Sequence, residues 1–283
     1  MKIHVGYDLV YECVQPTPMI FMLNVHPSRA ADLLTADRMR VTPSRSINAY
    51  VDAFGNKCVR LLAPAGEIRI AGDAIVADRG RPDSVDPGAE EHAVADLPHD
   101  ALVFLLASRY CQTDRLMKTA WNMFGTTPPG WQRVQAICDF VHHRIKFGYE
   151  HAAPMRGAIE ALVEGRCRDF AHLAVALCRC MNIPARYCTG YLGDIGVPPD
   201  PTPMDFSTWF EVYIGGRWYT FDARHNKPRI GRILIARGRD AADVAISTTF
   251  GANILKRFVV RTHEVTSEDE PAVRLARAAE VGP

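Results

Sequence analysis

The spacing of hydrophobic residues changes along this chain, and the change limits the folds open to it. Near the N-terminus, Val5, Tyr7 and Leu9 alternate with other residues, which is typical of a β-strand with one buried face. Helical spacing occurs later, at Val134, Ile137, Cys138, Val141 and Ile145. Because the two periods occupy separate parts of the chain, we predict an α+β protein with an antiparallel β part first.

The first eighty residues predict a sandwich-like antiparallel domain. Short strand-like stretches separated by turn signals follow one another there, for example within 49–59. Segment 80–88 is polar and rich in Pro and Gly, so it predicts a loop or linker. A length of 283 residues suits two domains. The predicted regions are a β-rich domain over 1–88, a mixed core over 89–264 and a flexible tail over 265–283.

The second part predicts a buried helix followed by a small antiparallel sheet. Residues 167–181 carry an apolar stripe at helical spacing, and the Asn-Ile-Pro sequence that follows ends the helix. Strands are predicted at 186–191, 209–214 and 217–221. The last two form a hairpin, because Gly215-Gly216 between them suits a two-residue primed turn.

Composition and charge narrow the classes of partner. Lys and Arg number 33 against 32 Asp and Glu, so nothing indicates a nucleic-acid or membrane-surface partner. No apolar run approaches the roughly 20 residues that span a bilayer, and residues 1–8 lack a secretory apolar region. We therefore expect a cytoplasmic protein with reduced thiols. The spacing of Cys178, Cys180 and Cys188 predicts no zinc site.

Cys167 is the candidate nucleophile. It lies where a loop enters the predicted helix, and the partial positive charge of a helix N-terminus favours the thiolate. Arg166 and Arg168 flank it and act in the same direction. The alternative is a buried cysteine that happens to begin a helix.

The predicted hairpin supplies a candidate carboxylate. With Gly215-Gly216 as the turn, Trp209 lies opposite Asp222, and Ser207 lies diagonal to Asp222 on the same face. A carboxylate beside a residue of the neighbouring strand can build a pair for catalysis. In such a pair an imidazole is the base, and the carboxylate holds it in place. Ser207 itself cannot be that base, because a hydroxyl does not accept a proton near pH 7.

Several segments together resemble the bacterial transglutaminase-like family of cysteine proteases, which has a papain-like fold. Segment 165–173 resembles the family's nucleophile motif, and 182–187 resembles its Gly-Ile-Pro-Ala-Arg-Tyr segment. Segments 205–211 and 218–222 resemble its His and Asp segments, in the same order. The resemblance covers about residues 1–260 and includes a β-rich N-terminal domain. It implies that the core is papain/transglutaminase-like.

The resemblance also implies site residues. Cys167 corresponds to the nucleophile and Asp222 to the orienting carboxylate. The family's base is a His two residues before Trp209, where this chain has Ser207. An introduced substitution of that His is one explanation of Ser207.

His225 is the candidate replacement base. It follows Asp222 by three residues in a turn-like stretch, and Ser207 leaves room for an imidazole, so His225 can turn toward Cys167. A solvent-facing or loop-bracing His225 is the alternative. His172 lies about 140° round the helix from Cys167 and is predicted to be a packed residue.

Two functional hypotheses follow from these residues. The first is a thiol enzyme in which Cys167 attacks a peptide or protein amide and the thioester is resolved by water or an amine, with no metal or organic cofactor. The second is a binding or scaffold protein that has lost its base at Ser207. Trp209 and Tyr149 are candidates for the substrate cleft, with packing as the alternative for each.

Overall fold

The computed structural model describes residues 1–146, 157–164 and 170–266. The strands in these ranges are β1 (Lys2–Cys13), β2 (Thr17–Phe21), β3 (Arg40–Thr42), β4 (Ile47–Val51), β5 (Lys57–Ala63), β6 (Gly66–Ala77), β7 (Ala185–Tyr191), β8 (Ser207–Ile214), β9 (Arg217–Phe221), β10 (Ile233–Gly238), β11 (Ser247–Thr249) and β12 (Asn253–Glu264). The α-helices are α1 (His99–Leu102), α2 (Thr113–Phe124), α3 (Trp131–Arg144), α4 (Ala158–Glu164) and α5 (Phe170–Cys180). This mixed content confirms the α+β prediction.

The N-terminal strands form two antiparallel sheets, with orders β12-β1-β6-β3 and β11-β2-β5-β4. The alternating residues of β1, including Ile3, Tyr7 and Leu9, are buried in a hydrophobic core that the two sheets share. The Tyr11 hydroxyl of β1 donates to Ser247 Oγ of β11 across this core, at 2.9 Å. The arrangement is therefore a sandwich, as the two-residue period predicts.

The C-terminal strands belong to the sandwich. β12 pairs with β1 from Ile3↔Glu264 to Cys13↔Asn253, and β11 pairs with β2. The division into 1–88, 89–264 and 265–283 stays a prediction, but strand pairing joins 247–264 to the N-terminal strands. Pairing between strands so distant along the chain leaves no local pattern in the sequence. Residues 267–283 of the predicted tail lie outside the described ranges.

The predicted core sheet has the order β10-β7-β8-β9 and is antiparallel throughout. Its hairpin has the predicted register, Ile214↔Arg217 to Phe210↔Phe221. Gly215 and Gly216 have φ of 55° and 75°, a left-handed pair of conformations that favours glycine. The predicted hairpin is thus confirmed.

Helix α5 lies at the centre of the helical part. Every one of its residues is buried, because α2, α3, α4 and strands β7 and β8 all pack against it. The longest described helix, α3, has 14 residues. In the ranges that the structure describes, no helix combines the length and hydrophobicity needed to cross a membrane.

Gly190 of β7 permits close packing of the core sheet. A Cβ at this position would overlap the Ile233 carbonyl oxygen of β10 and lie 2.7 Å from the Trp209 ring. We expect Gly190→Ala to lower the free energy of unfolding by about 3 kcal/mol, the upper end of the usual range for overpacking, since both neighbours are buried. Urea unfolding measures this loss. Gly88→Ala is the control, because its Cβ would make only an ordinary contact, and equal midpoints for the two variants would contradict the packing argument.

Candidate active site

Asp222 and His225 form a contact within the turn that follows β9. Asp222 Oδ1 accepts hydrogen bonds from the backbone N–H groups of Arg224 and His225, both at 3.0 Å. These bonds fold the chain back, so that His225 Nδ1 lies 2.8 Å from Asp222 Oδ2. The three-residue spacing and a turn therefore produce an imidazole–carboxylate pair, in which the carboxylate fixes Nδ1 as the protonated nitrogen and leaves the lone pair on Nε2.

Helix α3 supports this turn from one side. Asn226, at φ 49°, donates from Nδ2 to Asp139 Oδ1 at 2.8 Å. Gln135 Nε2 donates to Asn226 Oδ1 at 3.0 Å. His142 Nδ1 lies 3.1 and 3.0 Å from two carbonyl oxygens of the turn. The turn is thus held by side chains of a packed helix, and His142 has a bracing role.

Arg232 contacts the same carboxylate from the other side. Its Nη2 donates to Asp222 Oδ2 at 2.8 Å, and its guanidinium lies 5.1 Å from the centre of the Trp209 ring. The Asp222 side chain is 2% exposed. Burial by itself raises the pKa of Asp222, but the Arg232 charge and the hydrogen bond from His225 outweigh it and hold that pKa well below its usual range. Asp222 is therefore an ionised partner for the imidazole.

Ser207 is the first residue of β8 and is half-buried. It pairs with Gly190 of β7, and the β8–β9 pairing ends at Phe210↔Phe221, next to Trp209 and Asp222 in the chain. Ser207 and Trp209 are two residues apart in β8 and therefore share one face of the sheet, and Arg232 contacts both Trp209 and Asp222. Trp209 is 3% exposed and packs under Arg232, so its role in a substrate cleft stays a prediction.

Comparison with known proteins supports the resemblance. Residues 118–223 match the model of the transglutaminase-like superfamily. A crystal structure of a "putative cysteine protease" from Cytophaga hutchinsonii is 32% identical, covers 94% of this chain and 91% of its own, and superimposes with a TM-score of 0.77. The chain belongs to the transglutaminase-like superfamily. An uncharacterized protein of Mycobacterium leprae is 22% identical over 230 residues, which cover 77% of this chain and 81% of that protein.

The nucleophile segment of this transglutaminase-like protein is outside the described residues. Cys167 lies there with the whole of 165–169, and so does Tyr149. The roles of Cys167, Asp222 and His225 in catalysis stay predictions.

The other seven cysteines of the transglutaminase-like chain are buried thiols. Burial raises the pKa of Cys180 to about 11 and raises those of Cys138, Cys178 and Cys188 as well. A raised pKa keeps a thiol protonated and unreactive. Among the described residues, no group of three or more His, Cys, Asp or Glu side chains is arranged to hold a metal ion.

His172 is a packed residue, as the sequence predicts. Its ring is fully buried, lies 5.0 Å from the ring of Tyr110, and accepts a hydrogen bond from the Ala241 N–H at Nε2. Arg232 is the site residue that sequence reasoning missed. Arg232 follows Asp222 by ten residues, and the loop between them has no periodic pattern from which the contact could be predicted.

Proposed function

We propose that this chain is a thiol-dependent amide-bond enzyme with Cys167 as nucleophile, His225 as general base and Asp222 as the orienting carboxylate. The observation that carries the proposal is the 2.8 Å contact between His225 Nδ1 and the buried, ionised Asp222. The contact makes His225 available as a base in a chain that has Ser207 at the position of the family's His. The proposed substrate is a peptide or protein amide in the cytoplasm, in keeping with the match to the transglutaminase-like superfamily and with the likeness to the "putative cysteine protease".

The proposed reaction proceeds through a thioester. His225 Nε2 takes the proton of the Cys167 thiol, and the thiolate attacks the amide carbonyl carbon. The imidazolium then gives its proton to the amine as the C–N bond breaks, which leaves an acyl group on sulfur. Water, deprotonated by the same nitrogen, attacks the thioester and releases a carboxylic acid and the thiol. An amine in place of water would give a new amide; water is favoured because it is always present.

Asp222 has two tasks in this scheme. It holds the imidazole in the tautomer with the lone pair on Nε2, and its negative charge stabilises the imidazolium that forms during attack. Since Arg232 keeps Asp222 ionised, the carboxylate is available for both tasks across the pH range in which His titrates.

A scaffold protein without catalysis is the second candidate, and Ser207 is the observation that favours it. The sheet position that carries the base in the family presents only a hydroxyl here. In that case Cys167 would be an ordinary thiol, and His225 would brace the turn.

The pH dependence of Cys167 alkylation by iodoacetamide separates the two candidates. We expect the parent thiol to react well below pH 8.5, and His225→Asn to slow alkylation at pH 6.5 about tenfold or more, because a thiolate–imidazolium pair is lost. Mass spectrometry of the Cys167 peptide gives the rate, and the burial of the other cysteines limits competing reaction. His99→Asn is the matched control, since His99 is exposed on α1.

Two other outcomes would contradict the proposal. A parent thiol that reacts only near pH 8.5 and ignores the substitution would favour the scaffold. A thiolate that forms at low pH in both proteins would mean that Arg166, Arg168 and the helix N-terminus activate Cys167 without His225.

A further inference from the structure

Asp83, in the loop 80–88 that precedes the predicted core, reaches the site through Arg232. Its carboxylate accepts the Arg232 Nε–H, with Oδ2 at 2.9 Å and Oδ1 at 3.2 Å. Nη2 of the same guanidinium donates to Asp222. The Arg232 side chain is only 6% exposed, so it lies between two carboxylates with little solvent around it.

The loop is fixed where it meets this arginine. Asp83 N–H donates to the Arg229 carbonyl oxygen at 3.0 Å, and Arg229 N–H donates to Asp83 Oδ2 at 2.8 Å. The two backbone contacts set the position of Asp83 independently of Arg232. The carboxylate is therefore held in place, and the guanidinium is oriented by it.

The carboxylate of Asp222 is fully used. Its Oδ1 accepts two backbone N–H groups, and its Oδ2 faces both His225 Nδ1 and Arg232 Nη2. An ionised carboxylate has about four acceptor positions, two on each oxygen. All four are occupied here, and the two side chains share Oδ2. The more strongly Arg232 draws on Oδ2, the less negative charge remains for the imidazolium of His225.

We propose that Asp83 and Arg232 are positioning residues that set the basicity of His225 through Asp222, and this proposal rests on the proposed function. Asp83 balances part of the Arg232 charge, which leaves Asp222 better able to stabilise the imidazolium. Arg232 in turn limits that stabilisation, because it shares the Asp222 Oδ2 oxygen with the imidazole. The loop that connects the N-terminal strands to the core is thereby a component of the site.

Other charged and titratable groups surround the His225 turn and enter the same balance. They come from the turn itself, from α3, and from the loop between β7 and β8: Arg224, Asp139, His142 and Asp200. None of these is changed by a substitution at Asp83 or Arg232, so they form a constant background for the test.

The test is an NMR titration of the His225 imidazole in the whole protein, with His225→Asn used to assign its signal. We expect Asp83→Asn to shift the titration midpoint down by about half to one pH unit, because a negative charge is lost. Arg232→Met is expected to shift it up by about one unit, because a positive charge is lost. Asp86→Asn is the matched control, since this carboxylate of the same loop accepts from Tyr219 instead.

Opposite shifts support the proposal, whereas shifts in one direction, or none, would overturn it, because loosened packing has no reason to depend on the sign of the charge removed. If Arg232→Met does not fold, the comparison of Asp83→Asn with Asp86→Asn decides alone: equal midpoints overturn the proposal. The titration needs no catalysis, so it is separate from the alkylation of Cys167. Failure of the alkylation test with intact opposite shifts would reject the proposed function and leave the charge coupling standing.

Discussion

Replacement of Asp222 by Asn is expected to lower the free energy of unfolding by about 3–5 kcal/mol at pH 7. The substitution removes the charge that Arg232 and His225 share, and it leaves a buried guanidinium with Asp83 as its remaining carboxylate partner in the described structure. Urea unfolding of the parent and the variant measures the loss. Under the proposed function, amide hydrolysis also falls by about 10³–10⁴-fold, because the imidazole loses its orienting carboxylate.

The effect of Asp222→Asn on the free energy of unfolding is also expected to depend on pH. The pKa of Asp222 is depressed in the folded protein, so its stabilisation is fully present above the unfolded value of about 4 and is lost as pH falls below it. The difference in unfolding free energy between the parent and Asp222→Asn is therefore expected to shrink progressively as the pH is lowered below about 4.

Asp73→Asn is the control for this prediction. Asp73 pairs with Arg40 at the surface, where both side chains are substantially exposed, and such pairs contribute about 0–1 kcal/mol. A loss at Asp222 no larger than the loss at Asp73 would show that the buried charge cluster contributes little to stability.

Replacement of Arg179 by Met is expected to destabilise the protein by about 3–5 kcal/mol. Arg179 lies on α5, is 2% exposed, and donates to the carbonyl oxygens of Ala185 and Leu106 and to the Ser108 hydroxyl. The apolar side chain has a similar length but leaves the buried Ala185 carbonyl oxygen and the partly buried Leu106 and Ser108 oxygens without this donor. Thermal or urea unfolding gives the magnitude.

Arg115→Met on α2 is the matched control for Arg179, because it makes the same change on an exposed helical position. It is expected to alter stability by less than about 0.5 kcal/mol. If both variants unfold at the same urea concentration, the hydrogen bonds of Arg179 do not contribute as we infer.

The effect of Arg179 also bears on the site. The helix that carries it is the one into which the Cys167 segment leads, and its donors connect that helix to β7 and to the chain before α2. A buried cation in this place ties the predicted nucleophile helix to its surroundings by bonds with fixed directions, which apolar packing alone does not supply.

Local patterns predict much of the fold. The two-residue alternation at Val5, Tyr7 and Leu9 gives β1, and the spacing from Val134 to Ile145 gives α3, because both follow from which side chains share a buried face. Gly215-Gly216 gives the hairpin and its register, because few residues adopt two successive left-handed conformations. The candidate carboxylate Asp222 follows from that register.

Contacts between distant parts of the chain, in contrast, cannot be predicted from local patterns. The pairing of β12 with β1 and the reach of Asp83 to Arg232 join residues far apart in sequence, and no periodicity records either contact. A boundary placed by composition at residue 264 therefore assigns β11 and β12 to the core, although their hydrogen bonds are made with the N-terminal strands.

Local patterns and motifs in the sequence were enough to predict the α+β class, the hairpin, the resemblance to the transglutaminase-like superfamily and the choice of Asp222 and His225 as candidates. The contact between these two side chains is seen only in the tertiary structure. The same holds for the contact of Arg232 with Asp222 and for that of Asp83 with Arg232. The physical reason is the range of each interaction. Backbone conformation and face periodicity act over a few residues, whereas the charge around a buried carboxylate is set by whichever segments the fold brings against it.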